Sequence, residues 1–243
     1  MTYCLAIQVN DGLVFASDSR TNAGVDYVST YSKMHTFAVP GERCITLLSS
    51  GNLATTQTVV NTVARDLADA APQNLGTFRY LFEVAQYVGE LSRRVQEQHG
   101  PALREAGISP EANFIVGGQI RGQLPGLYLV YPQGNYIAAS PEMPYLQIGE
   151  TKYGKPILDR IVRPTTTLDD AARCALVSID STMRANISVG PPVELSVYAR
   201  DRFEPIHRLN LGAGDALLTE TQKRWSEGLR QAFQQLPRFD WEQ

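Results

Sequence analysis

The chain has 243 residues, 43% of them hydrophobic and 19% charged, with a formal net charge of −3. That length predicts a single domain (1–243) with a sizeable core of its own, and the charge excludes electrostatic recruitment to nucleic acid or an anionic membrane. No apolar stretch approaches the length of a membrane span, and the opening Met-Thr-Tyr-Cys-Leu lacks the basic start of a signal peptide, so a cytoplasmic location is expected.

Residues 2–9 alternate as a strand, Asn10-Asp11-Gly12 is a tight-turn signal, and 13–18 return as a second strand. The resulting β-hairpin delivers Asp18 back near the first residues. Strand-like segments follow at 34–39 and 44–49, ending in Ser49-Ser50-Gly51-Asn52, a loop rich in helix-capping residues. Apolar residues at helical spacing predict helices over 53–70 and 77–98, with Gly100-Pro101 closing the pair and a further helical turn at 102–107. A second β-region runs from 113 to 148. Helices are expected at 152–162 and 168–184, the latter opened by the capping pattern Thr167-x-x-Asp170. Strands at 193–199 and 202–208 and a polar amphipathic helix at 214–235 complete the chain.

Short turns join the strands of both β-blocks, so both sheets should be antiparallel. Two β-blocks and two helical pairs predict an α+β fold, a four-layer αββα sandwich. Cys4, Cys44 and Cys174 are scattered and odd in number, which predicts small buried thiols in a reducing compartment rather than disulfides. The three histidines show no ligand spacing, and no metal or cofactor is expected.

Removal of Met1 would leave Thr2 with a hydroxyl and a free α-amine on adjacent carbons. That amine has a reference pKa of about 7.7–8.0, low enough to act as a general base. Many chains begin Met-Thr, so the feature acquires meaning only from its context. The context is Ala16-Ser17-Asp18-Ser19-Arg20 at the end of the second hairpin strand, then Lys33, then Ser50-Gly51-Asn52-Leu53-Ala54 before the first helix. Ile115-Val-Gly-Gly118, Gly126-Leu-Tyr-Leu-Val130 and Pro132-x-Gly134 follow. In this order the sequence resembles the proteasome β-subunit family of N-terminal-nucleophile hydrolases. The Ser17–Gly24 run, Ser-Asp-Ser-Arg-Thr-Asn-Ala-Gly, resembles its bacterial Anbu, or ancestral β-subunit, branch.

The resemblance implies a threonine-type peptidase or amide hydrolase. Thr2 Oγ would attack a carbonyl carbon with its own α-amine as base. Lys33 would favour the developing alkoxide and keep the amine neutral, and Asp18 would orient Lys33. The Gly51 N–H would face the oxyanion, with Asn22 contributing to substrate binding, while Ser19, Arg20 and Ser188 are auxiliary candidates. Simpler roles stand beside these: a structural ion pair for Asp18 and Lys33, a turn for Gly51, and an anchor of the hairpin for Arg20. Asp18 to Lys33 is about one residue shorter than in typical family members, which a shortened loop at 22–30 would absorb. The family's Gly-Ser-Gly serine is replaced here by Gly149-Glu150-Thr151, with Glu150 or Thr151 as substitutes. Its Asp-x-x-Ser-Gly set is reduced to Ser188.

The implied partners are a peptide or protein substrate and further copies of the chain in a ring or helical homo-oligomer; the sequence designates no regulatory ATPase. Two alternatives remain: a non-catalytic scaffold or binding subunit, and an acylase for small-molecule amides. Scaffold-type relatives usually carry an extension before the first strand, which favours the catalytic reading.

Overall fold

The computed structural model describes residues 2–22 and 28–242, with the side chains of Asn22 and Val28 left aside. The predicted hairpin opens the fold: β1 (Tyr3–Val9) and β2 (Gly12–Asp18) pair antiparallel, with Cys4 opposite Ser17 and Val9 opposite Gly12. Beyond the short β3 (Arg20–Asn22) and β4 (Val28–Thr30), β5 (Met34–Val39) and β6 (Arg43–Gly51) start a second sheet. Helices α1 (Leu53–Ala68) and α2 (Leu81–Glu105) follow, then β7 (Ala112–Ile120), β8 (Gly126–Val130), β9 (Tyr136–Ala138) and β10 (Tyr145–Gly149). The last third holds α3 (Lys155–Ile161), α4 (Leu168–Ala185), β11 (Val193–Ala199), β12 (His207–Leu211) and α5 (Ala216–Gln234).

The two five-stranded sheets run β10-β1-β2-β11-β12 and β5-β6-β7-β8-β9, antiparallel throughout. Side chains alternate across each strand, so one strand feeds two layers of core. Tyr3, Leu5, Ile7, Val14 and Ala16 pack under Leu158, Cys174, Ala175 and Ile179 of α3 and α4. The alternate residues Cys4, Ala6, Leu13 and Phe15 meet Cys44, Leu48 and Ile115 of the second sheet. Ile45, Leu47, Phe114 and Val116 face the other way, onto Val59, Val63, Val84 and Val88 of α1 and α2. Three apolar layers therefore separate helices, sheet, sheet and helices, which is the predicted αββα sandwich. Because β2 is covered on both faces, all seven of its residues are buried, and Leu-Val-Phe-Ala reads as a continuous apolar run. All three cysteines are free and buried. Among the described residues no helix is long and apolar enough to cross a membrane.

The expected caps hold. Asn52 Oδ1 accepts from Thr55 N–H at α1, and Thr167 Oγ1 accepts from Asp170 N–H at α4. Two expectations are corrected. The helix predicted to close at Gly100-Pro101 runs through it to Glu105. Proline lacks one backbone donor, and here the helix needs only one more turn, whose end is closed by Ala106 N–H on Ala102 O. The last strand begins at His207 rather than 202, because Asp201 and Phe203 adopt φ of 64° and 57°. Distant side chains hold that turn: Gln119 Oε1 accepts from Asp201 N–H, and Tyr198 Oη accepts from Phe203 N–H.

Gly89 shows how closely α2 approaches the second sheet, since a Cβ there would lie 2.1 Å from Gly134 O. Alanine inside a helix ordinarily gains about 1 kcal/mol over glycine. Here the obstacle is backbone, so Gly89→Ala is expected to lose about 1–3 kcal/mol instead, measurable as a lower urea midpoint.

Candidate active site

The site forms where β2 ends. Asp18 is fully buried, and its Oδ1 accepts from Lys33 Nζ at 2.7 Å and from Tyr3 N–H at 3.0 Å. Oδ2 accepts from Gly190 N–H at 3.2 Å, from the segment between α4 and β11. Burial pushes the Asp18 carboxyl up; the Lys33 ammonium and the two backbone donors pull it back down. Lys33 is itself buried, and its ammonium also donates to Arg20 O at 2.6 Å. Its backbone is fixed to β6 through Ser49 N–H on Lys33 O at 3.0 Å.

Asp18 thus joins three distant parts of the chain one residue from Thr2. Thr2 is half-buried, and its carbonyl accepts from Glu150 N–H at 2.7 Å. Gly149, with φ of 84°, lies directly against it, and a Cβ there would fall 1.9 Å from Thr2 O. The Glu150 carboxylate accepts from Asn186 Nδ2 at 3.2 Å, and Asn186 Oδ1 accepts from Ser188 N–H.

In front of this arrangement opens a cleft of about 350 Å³, lined by Thr2, Thr21, Lys33, His35, Ser50 and Gly51 among others. Gly51 ends β6 with φ of 108°, and a Cβ there would be 2.3 Å from Glu111 O. Only glycine allows the chain to turn from β6 into α1 at this point. Leu53 and Thr56 bring the first turn of α1, with its positive dipole end, to the cleft wall. Burial pulls the His35 imidazole below the usual histidine range, opposed by the charge of Glu194.

Of the residues singled out from sequence, Thr2, Lys33 and Gly51 line one cleft and Asp18 lies directly behind it. Ser19 and Arg20 turn elsewhere. Ser19 Oγ lies 3.4 Å from Glu194 Oε2. The Arg20 guanidinium donates to Ile187 O at 2.7 Å and packs on Gly190, while its carbonyl accepts from Lys33 Nζ. Ser188 sits in the loop after α4 and is not among the cleft-lining residues. The Asn22 side chain and Met1 lie outside the described residues. Sequence reading passed over His35 and Glu194; a lone histidine and a strand glutamate carry no local signal. Among the described residues no group of three or more His, Cys, Asp or Glu converges as metal ligands would.

Fold and cleft together define a proteasome-type subunit. The family model "Proteasome subunit" matches residues 2–198, and the chain belongs to that family. Within it, the likeness is to Anbu, the ancestral β-subunit. Anbu from Yersinia bercovieri is 43% identical over 98% of this chain and 99% of its own, with a TM-score of 0.92. The subunit in the helical assembly of the Anbu complex from Pseudomonas aeruginosa is 44% identical over 98% of both chains, also at 0.92. Anbu from Hyphomicrobium sp. strain MC1 is 43% identical over 98% of this chain and 100% of its own, at 0.87. A search of curated proteins gives no match.

Proposed function

We propose that this chain is a threonine-type amide hydrolase, a peptidase of a self-assembling, proteasome-like particle in the cytoplasm. Its nucleophile is Thr2, freed by removal of Met1. One observation carries the reading: the carboxylate oxygen that holds the Lys33 ammonium at 2.7 Å also holds the N–H of the residue after Thr2, and Thr2, Lys33 and Gly51 line the same cleft.

In the proposed mechanism Thr2 Oγ attacks the amide carbonyl carbon while the Thr2 α-amine takes the hydroxyl proton. The Lys33 ammonium stabilises the alkoxide and, by like-charge repulsion, keeps the amine unprotonated. The oxyanion is received by the Gly51 N–H, a donor of a kind worth about 2.7–4 kcal/mol. The protonated amine passes its proton to the leaving amine, giving an ester on Thr2, which water then hydrolyses with the same amine as base. All groups come from the chain, so the proposal includes no cofactor. Self-association is supported by the helical assembly of the Pseudomonas aeruginosa relative.

Intact mass spectrometry before and after a threonine-directed β-lactone or epoxyketone tests this. The expected result is a native mass without Met1 and a single adduct that maps to Thr2 and is lost in Thr2→Ala. Retained Met1 and no adduct would instead mean a scaffold subunit.

A further inference from the structure

Lys33 is the last of three residues, 31–33, that belong to no strand. Backbone bonds hold the two ends of that segment, Tyr31 N–H on Ser19 O and Ser49 N–H on Lys33 O, both at 3.0 Å. Between them, Ser32 Oγ lies 2.9 Å and 3.0 Å from the two oxygens of Glu194. The same Glu194 Oε2 lies 3.4 Å from both Ser17 Oγ and Ser19 Oγ. Ser17 and Ser19 flank Asp18 and are buried; Ser32 immediately precedes Lys33. One carboxylate on β11 therefore accepts a short bond from the serine just before Lys33 and lies within long hydrogen-bond reach of the serines on both sides of Asp18. It reaches them because Glu194 pairs directly with Ser17 across β2 and β11 and points, like Ser17, between the sheets.

We infer that Glu194 is the positioning residue that holds Lys33 against Asp18. It touches neither substrate nor nucleophile. Hydroxyl donors to a carboxylate form charge-assisted bonds, stronger than neutral ones. Together with the backbone bonds at Tyr31 and Lys33, they fix Ser32 relative to Ser17 and Ser19, and so limit how far the origin of the Lys33 side chain can move from Asp18. The catalytic consequence rests on the role proposed above for Lys33, but the geometric claim does not, and the two are tested separately.

The first measurement is acetylation of Lys33 by acetic anhydride, followed by peptide mass spectrometry on the full-length protein. Lys33 is only 5% exposed and should react slowly in the wild type. In the near-isosteric Glu194→Gln, and in Ser32→Ala, which leaves Glu194 in place, it should react at least about tenfold faster. The double variant should be no faster than either single, because both cut the same tether. Unchanged acetylation in both single variants, or multiplying effects in the double, overturns the inference.

The second measurement is β-lactone labelling of Thr2. The maximal inactivation rate should fall about 10- to 100-fold in Glu194→Gln, the scale expected for a misplaced catalytic group, with the half-saturating concentration unchanged. Faster acetylation with undiminished labelling keeps the tether and removes Lys33 from the mechanism. Faster acetylation in a wild-type background that never labels keeps the tether and removes the hydrolase reading.

Discussion

Lys33→Ala should reduce β-lactone labelling of Thr2 by about three orders of magnitude, the scale reached when a cation or donor aimed at developing charge is lost from a catalytic unit. The same change should destabilise the fold by about 3–5 kcal/mol, because it leaves the buried Asp18 carboxylate without its cation. The remaining N–H groups of Tyr3 and Gly190 are neutral donors and only partly compensate. The pH dependence has a definite sign. Burial already raises the Asp18 carboxyl above its ordinary value, and removing Lys33 raises it further. A carboxyl that binds its proton more tightly in the folded state stabilises the fold at low pH. It loses that contribution as pH rises above the unfolded value of about 3.9. The deficit of Lys33→Ala relative to wild type should therefore be larger at pH 7 than at pH 5 in urea unfolding. An equal deficit at both would mean that Asp18 is not the orphaned charge.

Gly149→Ala should also damage labelling, about tenfold less than Lys33→Ala, while sparing every ionisable group. The added methyl would fall 1.9 Å from Thr2 O and 2.7 Å from Thr2 C, and the φ of 84° is itself unfavourable for alanine. Backbone cannot yield by a rotamer change, so β1 or the β10 end must shift and displace Thr2. A displacement of about 1 Å costs on the order of 100-fold in rate. The expected stability loss, about 1–3 kcal/mol, is smaller than that of Lys33→Ala. A variant that labels at the wild-type rate would show that the seat of Thr2 against Gly149 and Glu150 does not govern its reactivity.

Much of this was legible in the chain because it was local. Asn10-Asp11-Gly12 between two strand-like runs specifies a hairpin, and Asn52 and Thr167 announce their helices through capping chemistry that spans three residues. Asp18 and Lys33 were found through the family's motif order, and the ion pair between them bridges the loop whose length stood one residue short. What escaped notice depends on register. Glu194 becomes a partner of Ser17, Ser19 and Ser32 only because β11 lies beside β2 with Glu194 opposite Ser17, a pairing 177 positions apart. The turn at 201–203 likewise takes its shape from Gln119 and Tyr198, side chains that no window around it contains. Pro101 misled in the opposite direction: its local signal is strong, but one missing donor does not outweigh a helix otherwise packed along the second sheet.

The hydrogen bond from Gly190 to Asp18 has a consequence for the order of events in synthesis. The carboxylate at 18 emerges early and meets Tyr3 and Lys33 within the first segment made, but its third donor arrives 172 positions later. A growing chain therefore cannot assemble the complete cradle around its own beginning until more than three-quarters of it has been made. The cradle is completed late, so under the proposed function a half-made chain would stay unarmed among other nascent chains.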